Sequence, residues 1–256
     1  MKLLSRLFSL LVISGMLLPF AAARSLADEV RIAVASNFSV PAREIARAFE
    51  TATGNKVTVS FGSTGKIYAQ IVQAAPFDVF MSADQERPQL LEQQGLAVSD
   101  SRFTYALGRL ALYAGGTDVK GPGLLVADRT DRIAVANPEL APYGRAAVEA
   151  LAKLFPDEDF GSRLVQGENI SQTLQFVETG NARLGLVAYS QVISRDAAQY
   201  WLVPEGLHSP IAQDAVLLKS ADANPVARAF MDFLRGAEAE NIIRRYGYSA
   251  HVRGGS

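Results

Sequence analysis

Residues 59–66 read VSFGSTGK and mark the change from a strand to a helix. Upstream of the glycines, residues 57, 59 and 61 are apolar and residues 58 and 60 are polar, which is the period of a strand with two unlike faces. Downstream, apolar residues at positions 67, 68 and 71 follow helical spacing. The stretch therefore predicts a strand, a tight turn and a helix.

The turn presents the hydroxyls of Ser63 and Thr64 and several backbone N–H groups at the positive end of a helix dipole, which favours an anion. The alternative is that it only caps the helix. A phosphate-binding loop is disfavoured, because that motif has four residues between its glycines and Ser or Thr after its lysine. Here two residues separate Gly62 from Gly65, and Ile67 follows Lys66.

The N-terminus has the order of a secretory signal. Lys2 and Arg6 precede an apolar run over residues 7–20, and small residues then allow cleavage after Ala23 or, as we prefer, after Ala27. The run has about 14 residues, fewer than the roughly 20 that span a bilayer. We predict that residues 1–27 are a signal peptide and that the remainder is exported.

Composition narrows the chemistry further. The chain has no cysteine, which removes disulfides, thiolate metal sites and cysteine nucleophiles, and an export signal without cysteines indicates a bacterial periplasm. Cleavage after Ala27 would change the net charge from −1 to −4, because the signal contains three basic residues and no acidic one. With no long basic run, we expect no nucleic-acid partner and any anion site to be local.

Strands and helices alternate along the rest of the chain. A strand near residues 30–34 leads into Ser36 and Asn37 and then into a helix, as the strand before Ser63 does. Such alternation predicts parallel sheets, which bind ligands beyond the carboxyl ends of their strands. A second α/β unit follows, and strand-like segments at 103–113 and 211–218 would connect the two units as a hinge.

Nine short motifs together resemble the periplasmic molybdate-binding proteins of ABC transporters. They are ASNF at 35–38, GSTG at 62–65, YAQI at 68–71, APFDVF at 75–80, SADQ at 82–85, SRFTYA at 101–106, NP at 137–138, APYG at 141–144 and RYG at 245–247. The resemblance covers essentially the whole chain after the signal. It implies an α/β fold of type II with two lobes, each a mostly parallel sheet flanked by helices, joined by two crossing strands. Lobe I would comprise 28–107 and 209–256, and lobe II 108–208.

By position, the resemblance places one tetrahedral oxyanion, molybdate and by extension tungstate, between the lobes. Its contacts would be Ser36, Asn37, Ser63, Thr64, Tyr143 and the backbone N–H of Ile170, with asparagine at 37 marking a subset of the family. Many members also use a tyrosine at the end of a strand. Here that strand ends near Ala188 and the tyrosine is Tyr189, one place later, so its side chain could face away.

The resemblance further implies that the protein is not an enzyme, needs no cofactor and delivers its ligand to an inner-membrane permease with its ATPase. Molybdenum would be present only as the oxyanion, with no direct protein ligand, and we expect a monomer. Two alternatives stay open: binding of another tetrahedral oxyanion or a small organic anion, and an exported hydrolase built on Asp78, Asp84 and Asp214. The hydrolase lacks a recognisable nucleophile and base, and Asp84 is better explained as a helix cap.

Overall fold

The computed structural model of the protein describes residues 28–249, so the predicted signal segment 1–27 and residues 250–256 of the predicted lobe I lie outside the described part. The strands of this part are β1 (Glu29–Ala35), β2 (Lys56–Gly62), β3 (Val79–Met81), β4 (Phe103–Gly108), β5 (Leu110–Tyr113), β6 (Ile133–Ala136), β7 (Leu164–Gly167), β8 (Leu184–Ala188), β9 (Tyr200–Leu202) and β10 (Ile211–Leu217). The α-helices are α1 (Ser39–Thr53), α2 (Thr64–Val72), α3 (Glu86–Gln93), α4 (Leu124–Ala127), α5 (Pro142–Leu154), α6 (Ile170–Glu178), α7 (Tyr189–Val192), α8 (Pro225–Leu234) and α9 (Ala237–Arg245).

The strands form two sheets of five with the same plan. Sheet I has the order β2-β1-β3-β10-β4 and sheet II the order β7-β6-β8-β5-β9. In each sheet the first three strands are parallel and the fourth runs antiparallel to both of its neighbours. Four of the five strands in each sheet therefore share one direction, and the predicted two-lobe α/β fold is confirmed. We call the sheets with their helices lobe I and lobe II.

The connections between the sheets are reciprocal. The chain leaves sheet I from its edge strand β4 and enters sheet II as its fourth strand β5, and it returns from the edge strand β9 to become the fourth strand β10 of sheet I. Each lobe thus holds one strand delivered directly from the edge of the other. The two crossings are the segments about which the lobes would move.

The first crossing was expected as one continuous segment over residues 103–113, but the structure divides it. β4 ends at Gly108 and β5 begins at Leu110, so Arg109 belongs to neither sheet. At Gly108 a Cβ atom would lie 2.2 Å from the Tyr143 hydroxyl and 2.8 Å from Nε2 of Gln213. Position 108 therefore has no room for a side chain, because Tyr143 of lobe II fills that space.

Alternating side chains of the central strands supply a core on both faces of each sheet. On β1, Val30, Ile32 and Val34 pack with the core beneath α1, α8 and α9, whereas Ala33 packs on the opposite face with Ile67 of α2. Both faces of β1 are covered, which explains its nearly continuous apolar sequence. The edge strand β2 keeps a strict alternation, with residues 58 and 60 exposed, as predicted from its pattern.

No helix within residues 28–249 is both long enough and apolar enough to cross a membrane.

A Gly144→Ala substitution should destabilise lobe II. A Cβ atom at this position would lie 2.2 Å from the carbonyl oxygen of Ala136 and 2.7 Å from its carbonyl carbon, so α5 would have to move off β6. We expect the free energy of unfolding in urea to fall by about 1–3 kcal/mol. Gly206→Ala is the control, since nothing lies within 4 Å of its Cβ position. Equal stability of the two variants would show that α5 does not depend on this close approach.

Candidate functional site

Four helix N-termini meet at one cavity between the lobes. Its lining residues are Ala35, Ser36, Asn37, Gly62, Ser63, Thr64, Ala83, Ala141, Pro142, Tyr143, Asn169 and Ile170. These residues cluster where β1, β2, β6 and β7 end and where the turn before α1 and the helices α2, α5 and α6 begin. Because parallel strands end at one edge of each sheet, the topology alone brings two helix N-termini from each lobe together.

The cavity is small. Its volume is about 10 Å³, far below the roughly 300–1,000 Å³ of pockets for drug-sized ligands. A single small ion fits such a space, whereas a peptide or a nucleotide does not.

The helix ends at the cavity leave backbone donors without side-chain partners. No side chain caps the turn Ser36–Phe38, α1, α2 or α5. In α6, Oδ1 of Asn169 accepts from the backbone N–H groups of Ser171 and Gln172 but not from that of Ile170. Uncapped N–H groups and the aligned helix dipoles together make the cavity electropositive without a charged side chain.

Hydroxyl groups add to these donors. Ser63 is 2% exposed and its Oγ has no hydrogen-bond partner. Since a buried hydroxyl without a partner is costly, this atom points to a ligand in the cavity. Thr64 Oγ1 accepts from the backbone N–H of Ala83 at 3.1 Å and keeps its own hydrogen for donation. Ser36 Oγ donates across the lobes to Oδ1 of Asn169 at 3.2 Å.

None of the described residues that line this cavity has a charged side chain. Lys66, the nearest cation in the sequence motif, is half exposed and pairs with Glu168 of lobe II at 2.5 Å. Within residues 28–249 no group of three or more His, Cys, Asp or Glu side chains is placed to hold a metal ion. The cavity is therefore suited to an anion that is bound through neutral donors.

The three aspartates considered for a hydrolase do not meet at the cavity. Asp78 pairs with Arg31, Asp84 with Arg87, and Asp214 with Arg102 at 2.7 Å. Asp84 also accepts the backbone N–H of Arg87 in the first turn of α3, consistent with the predicted capping role.

Asn37 lines the cavity, but its amide hydrogens are engaged elsewhere. Nδ2 donates to Oε1 of Gln213 at 2.8 Å and to the Tyr248 hydroxyl at 3.0 Å. The Tyr105 hydroxyl also donates to Oε1 of Gln213, and Nε2 of Gln213 lies 3.5 Å from the Tyr143 hydroxyl. The amide of Asn37 therefore belongs to a buried hydrogen-bond network behind the cavity.

Sequence reasoning missed this network. One available signal was the polar pair Gln213 and Asp214 inside the otherwise apolar strand β10, where a β-bulge interrupts the register. Another was the RYG motif, which directly precedes Tyr248. Neither signal indicates from sequence alone which residues are brought together, because the partners lie 70 to 211 positions apart.

Ala188 and Tyr189 do not line the cavity. Ala188 is buried at the end of β8, and the Tyr189 ring packs against Tyr200 with centroids 5.5 Å apart and against Gly247. Tyr189 follows the strand end by one place, so its side chain lies on another side of the strand from the cavity.

Burial keeps the network tyrosines protonated. Loss of hydration raises the pKa of Tyr248 to about 12 and raises the pKa values of Tyr105 and Tyr143 well above the usual tyrosine value. Their hydroxyls therefore remain neutral donors over the whole physiological range, which suits an anion site.

The lobes are in contact around the cavity. The Gly65 N–H donates to the carbonyl oxygen of Leu140 at 2.9 Å, and Nη2 of Arg87 donates to that of Glu139 at 2.7 Å. Arg145 pairs with Glu86 at 3.3 Å. A Cβ atom at Gly65 would lie 3.1 Å from Cα of Leu140, so a glycine permits this approach. The structure is a closed form.

Comparison with known proteins identifies close relatives. A family model described as bacterial extracellular solute-binding protein matches residues 30–249. The molybdate-binding protein ModA of Rhodobacter capsulatus is 46% identical over 241 residues, 94% of each chain. The molybdate-binding protein ModA of Azotobacter vinelandii is 47% identical over 228 residues, 87% of this chain and 90% of the relative. The solved structure of the Azotobacter vinelandii periplasmic molybdate-binding protein matches with a TM-score of 0.82 and 35% identity, over 87% of this chain and all of that one.

The tyrosine pKa values predict how stability responds to alkaline pH. Below about pH 10 the tyrosines are protonated in both states, and their stabilising effect is fully present. Above it the unfolded chain loses protons that the folded chain holds until about pH 12 at Tyr248, so stability falls by about 1.4 kcal/mol per pH unit per buried tyrosine. Urea unfolding between about pH 8 and pH 11 measures the slope. Tyr248→Phe should reduce this slope by the contribution of one buried tyrosine. An unchanged slope would contradict the raised pKa of Tyr248.

Proposed function

The chain belongs to the family of bacterial extracellular solute-binding proteins, and we propose that it captures molybdate as the periplasmic component of an ABC transporter. The observation that carries the proposal is the convergence of four helix N-termini, with a partnerless serine hydroxyl, on a small cavity lined by no charged side chain. Relatives named as molybdate-binding proteins, 46% and 47% identical, support molybdate as the ligand.

The donor set suits this ligand. Molybdate is a dianion at neutral pH, and burying it costs heavily unless each oxygen accepts hydrogen bonds. Hydroxyl and backbone N–H groups supply these bonds and do not titrate in the physiological range. Neutral donors do not separate molybdate from sulfate by charge, so cavity size would set the selectivity. Tungstate has the same charge and shape, and we propose that it binds too.

We assign roles to the lining residues as follows. The hydroxyls of Ser63, Thr64 and Tyr143 and the backbone N–H of Ile170 donate to the oxyanion. Ser36 Oγ gives its one hydrogen to Asn169 in the structure, and this hydroxyl would rotate to the oxyanion when the ligand binds. Asn37 contributes its backbone N–H rather than its side chain, because both amide hydrogens are taken by Gln213 and Tyr248. Molybdenum has no direct protein ligand in this arrangement.

Lobe closure would complete the site. We propose that the units 28–107 with 209–249 and 108–208 rotate about the two crossings, and that the oxyanion stabilises the closed form by accepting donors from both lobes. The protein acts as a binding component and not as an enzyme. Residues 1–27 would direct export, and a permease with its ATPase would receive the ligand from the monomeric protein.

Calorimetric titration of the mature, ligand-stripped protein with molybdate, tungstate, sulfate and phosphate in parallel tests the proposed function. We expect tight one-to-one binding of the first two anions and no binding of the others. The smaller anions would not reach the donors of both lobes at the same time. Absence of heat with molybdate from a folded protein would overturn the proposal. Binding of sulfate or phosphate instead would reassign the ligand.

Substitutions at α2 test the assigned donors. Ser63→Ala and Thr64→Val should each weaken molybdate binding by about tenfold to a hundredfold, since a hydrogen bond to a charged group contributes about 1.5–3 kcal/mol. Thr51→Val is a control, because its hydroxyl bonds only the carbonyl oxygen of Arg47 on an exposed helix face. Affinity unchanged in both α2 variants would remove these residues from the site.

A further inference from the structure

A short C-terminal segment, Gly247 to Ser249, touches both lobes next to the cavity. Ser249 forms two backbone hydrogen bonds with Leu107 of β4, at 2.9 and 3.2 Å. These bonds fix the segment to lobe I immediately before the first crossing. On its other side, Gly247 has a φ of +76°, and a Cβ atom there would lie 2.5 Å from the Tyr189 ring of lobe II.

We propose that Tyr248, in this segment, is a positioning residue that couples lobe closure to the anion-binding turn Ser36–Phe38. The inference rests on the proposed function, because it assigns a role within the same oxyanion site. Tyr248 itself does not line the cavity.

The first support is the pair of hydrogen bonds between the Tyr248 hydroxyl and Asn37. Its hydroxyl donates to the carbonyl oxygen of Asn37 at 2.9 Å and accepts from Nδ2 of the same residue at 3.0 Å. One hydroxyl thus holds the backbone and the side chain of Asn37 at once. The ring also packs edge-on against Phe38, with centroids 5.1 Å apart. These contacts fix the orientation of a turn that has no side-chain cap of its own.

The second support is the contact with Ser190 of α7. Ser190 Oγ lies 2.8 Å from the Tyr248 hydroxyl and donates to the carbonyl oxygen of Asn37 at 3.1 Å. Ser190 belongs to lobe II, whereas Asn37 and Tyr248 belong to lobe I. Separation of the lobes would break both Ser190 contacts and leave the carbonyl of Asn37 with one donor fewer.

The third support is burial. Asn37, Ser190 and Tyr248 are 3%, 8% and 4% exposed, so water does not substitute for a lost partner while the lobes are closed. These three residues therefore stabilise the closed form only when all of their mutual contacts are made. The contacts are made when the turn Ser36–Phe38 faces the cavity.

A double-mutant cycle with Tyr248→Phe and Ser190→Ala tests the coupling. We expect each single variant to raise the Kd for molybdate by about fivefold to thirtyfold, chiefly through faster dissociation in stopped flow, because the triad holds the closed form. In the double variant the Kd should rise by less than the product of the two single increases, since the two hydroxyls contact each other. Tyr246→Phe is the matched control and should leave dissociation unchanged, because the Tyr246 hydroxyl bonds the half-buried Glu44 within lobe I.

Ligand-free stability separates positioning from a general structural role. Ser190→Ala should leave the unfolding transition of the ligand-free protein unchanged and lower only the stabilisation gained with molybdate. The inference would be overturned if the wild type binds molybdate but Ser190→Ala dissociates from it at the same rate. It would also be overturned if the increase in Kd in the double variant equals the product of the two single increases. If Tyr248→Phe does not fold, Ser190→Ala alone decides it. Failure of the wild type to bind molybdate would instead refute the proposed function.

Discussion

Burial of a doubly charged anion without a counter-ion is the constraint on which the rest of this structure depends. An anion that gives up water must find a hydrogen-bond donor for each oxygen, and one helix N-terminus provides too few. The protein brings four such ends together, with hydroxyls from Ser63 and Thr64 beside them. Because none of the proposed donors is ionised, no counter-ion would neutralise the charge of the ligand, and we propose that the size of the cavity sets the discrimination between anions.

The reciprocal topology meets this constraint. Each sheet contributes two strand ends followed by helices, and each receives one strand from the edge of the other sheet. The crossings place Gly108 and Gln213 against the Tyr143 hydroxyl, so the hinge strands also form the wall behind the cavity. A buried network of neutral side chains fills this wall. Tyr248 connects it to both lobes through Asn37 and Ser190.

Much of this architecture was predictable because it follows from local patterns. Alternation in β2, the turn Ser63 to Thr64 and the proline at the start of α5 each indicate their element without reference to distant residues. The break at Arg109 was not, since it depends on a tyrosine of the other lobe reaching Gly108. The hydrogen bonds of the Asn37 side-chain amide were equally unpredictable from sequence. Its partners are 176 and 211 residues away, and only the folded chain brings them together.

The central claim is that one oxyanion lies at the meeting point of the four helix N-termini. Anomalous X-ray scattering at the molybdenum edge, from crystals of the mature protein grown with molybdate, tests it most directly. The account predicts one anomalous peak inside the cavity, within hydrogen-bond distance of Ser63 Oγ, Thr64 Oγ1 and the Ile170 N–H. A peak beside exposed arginines or lysines, with the cavity empty and the lobes closed, would contradict it.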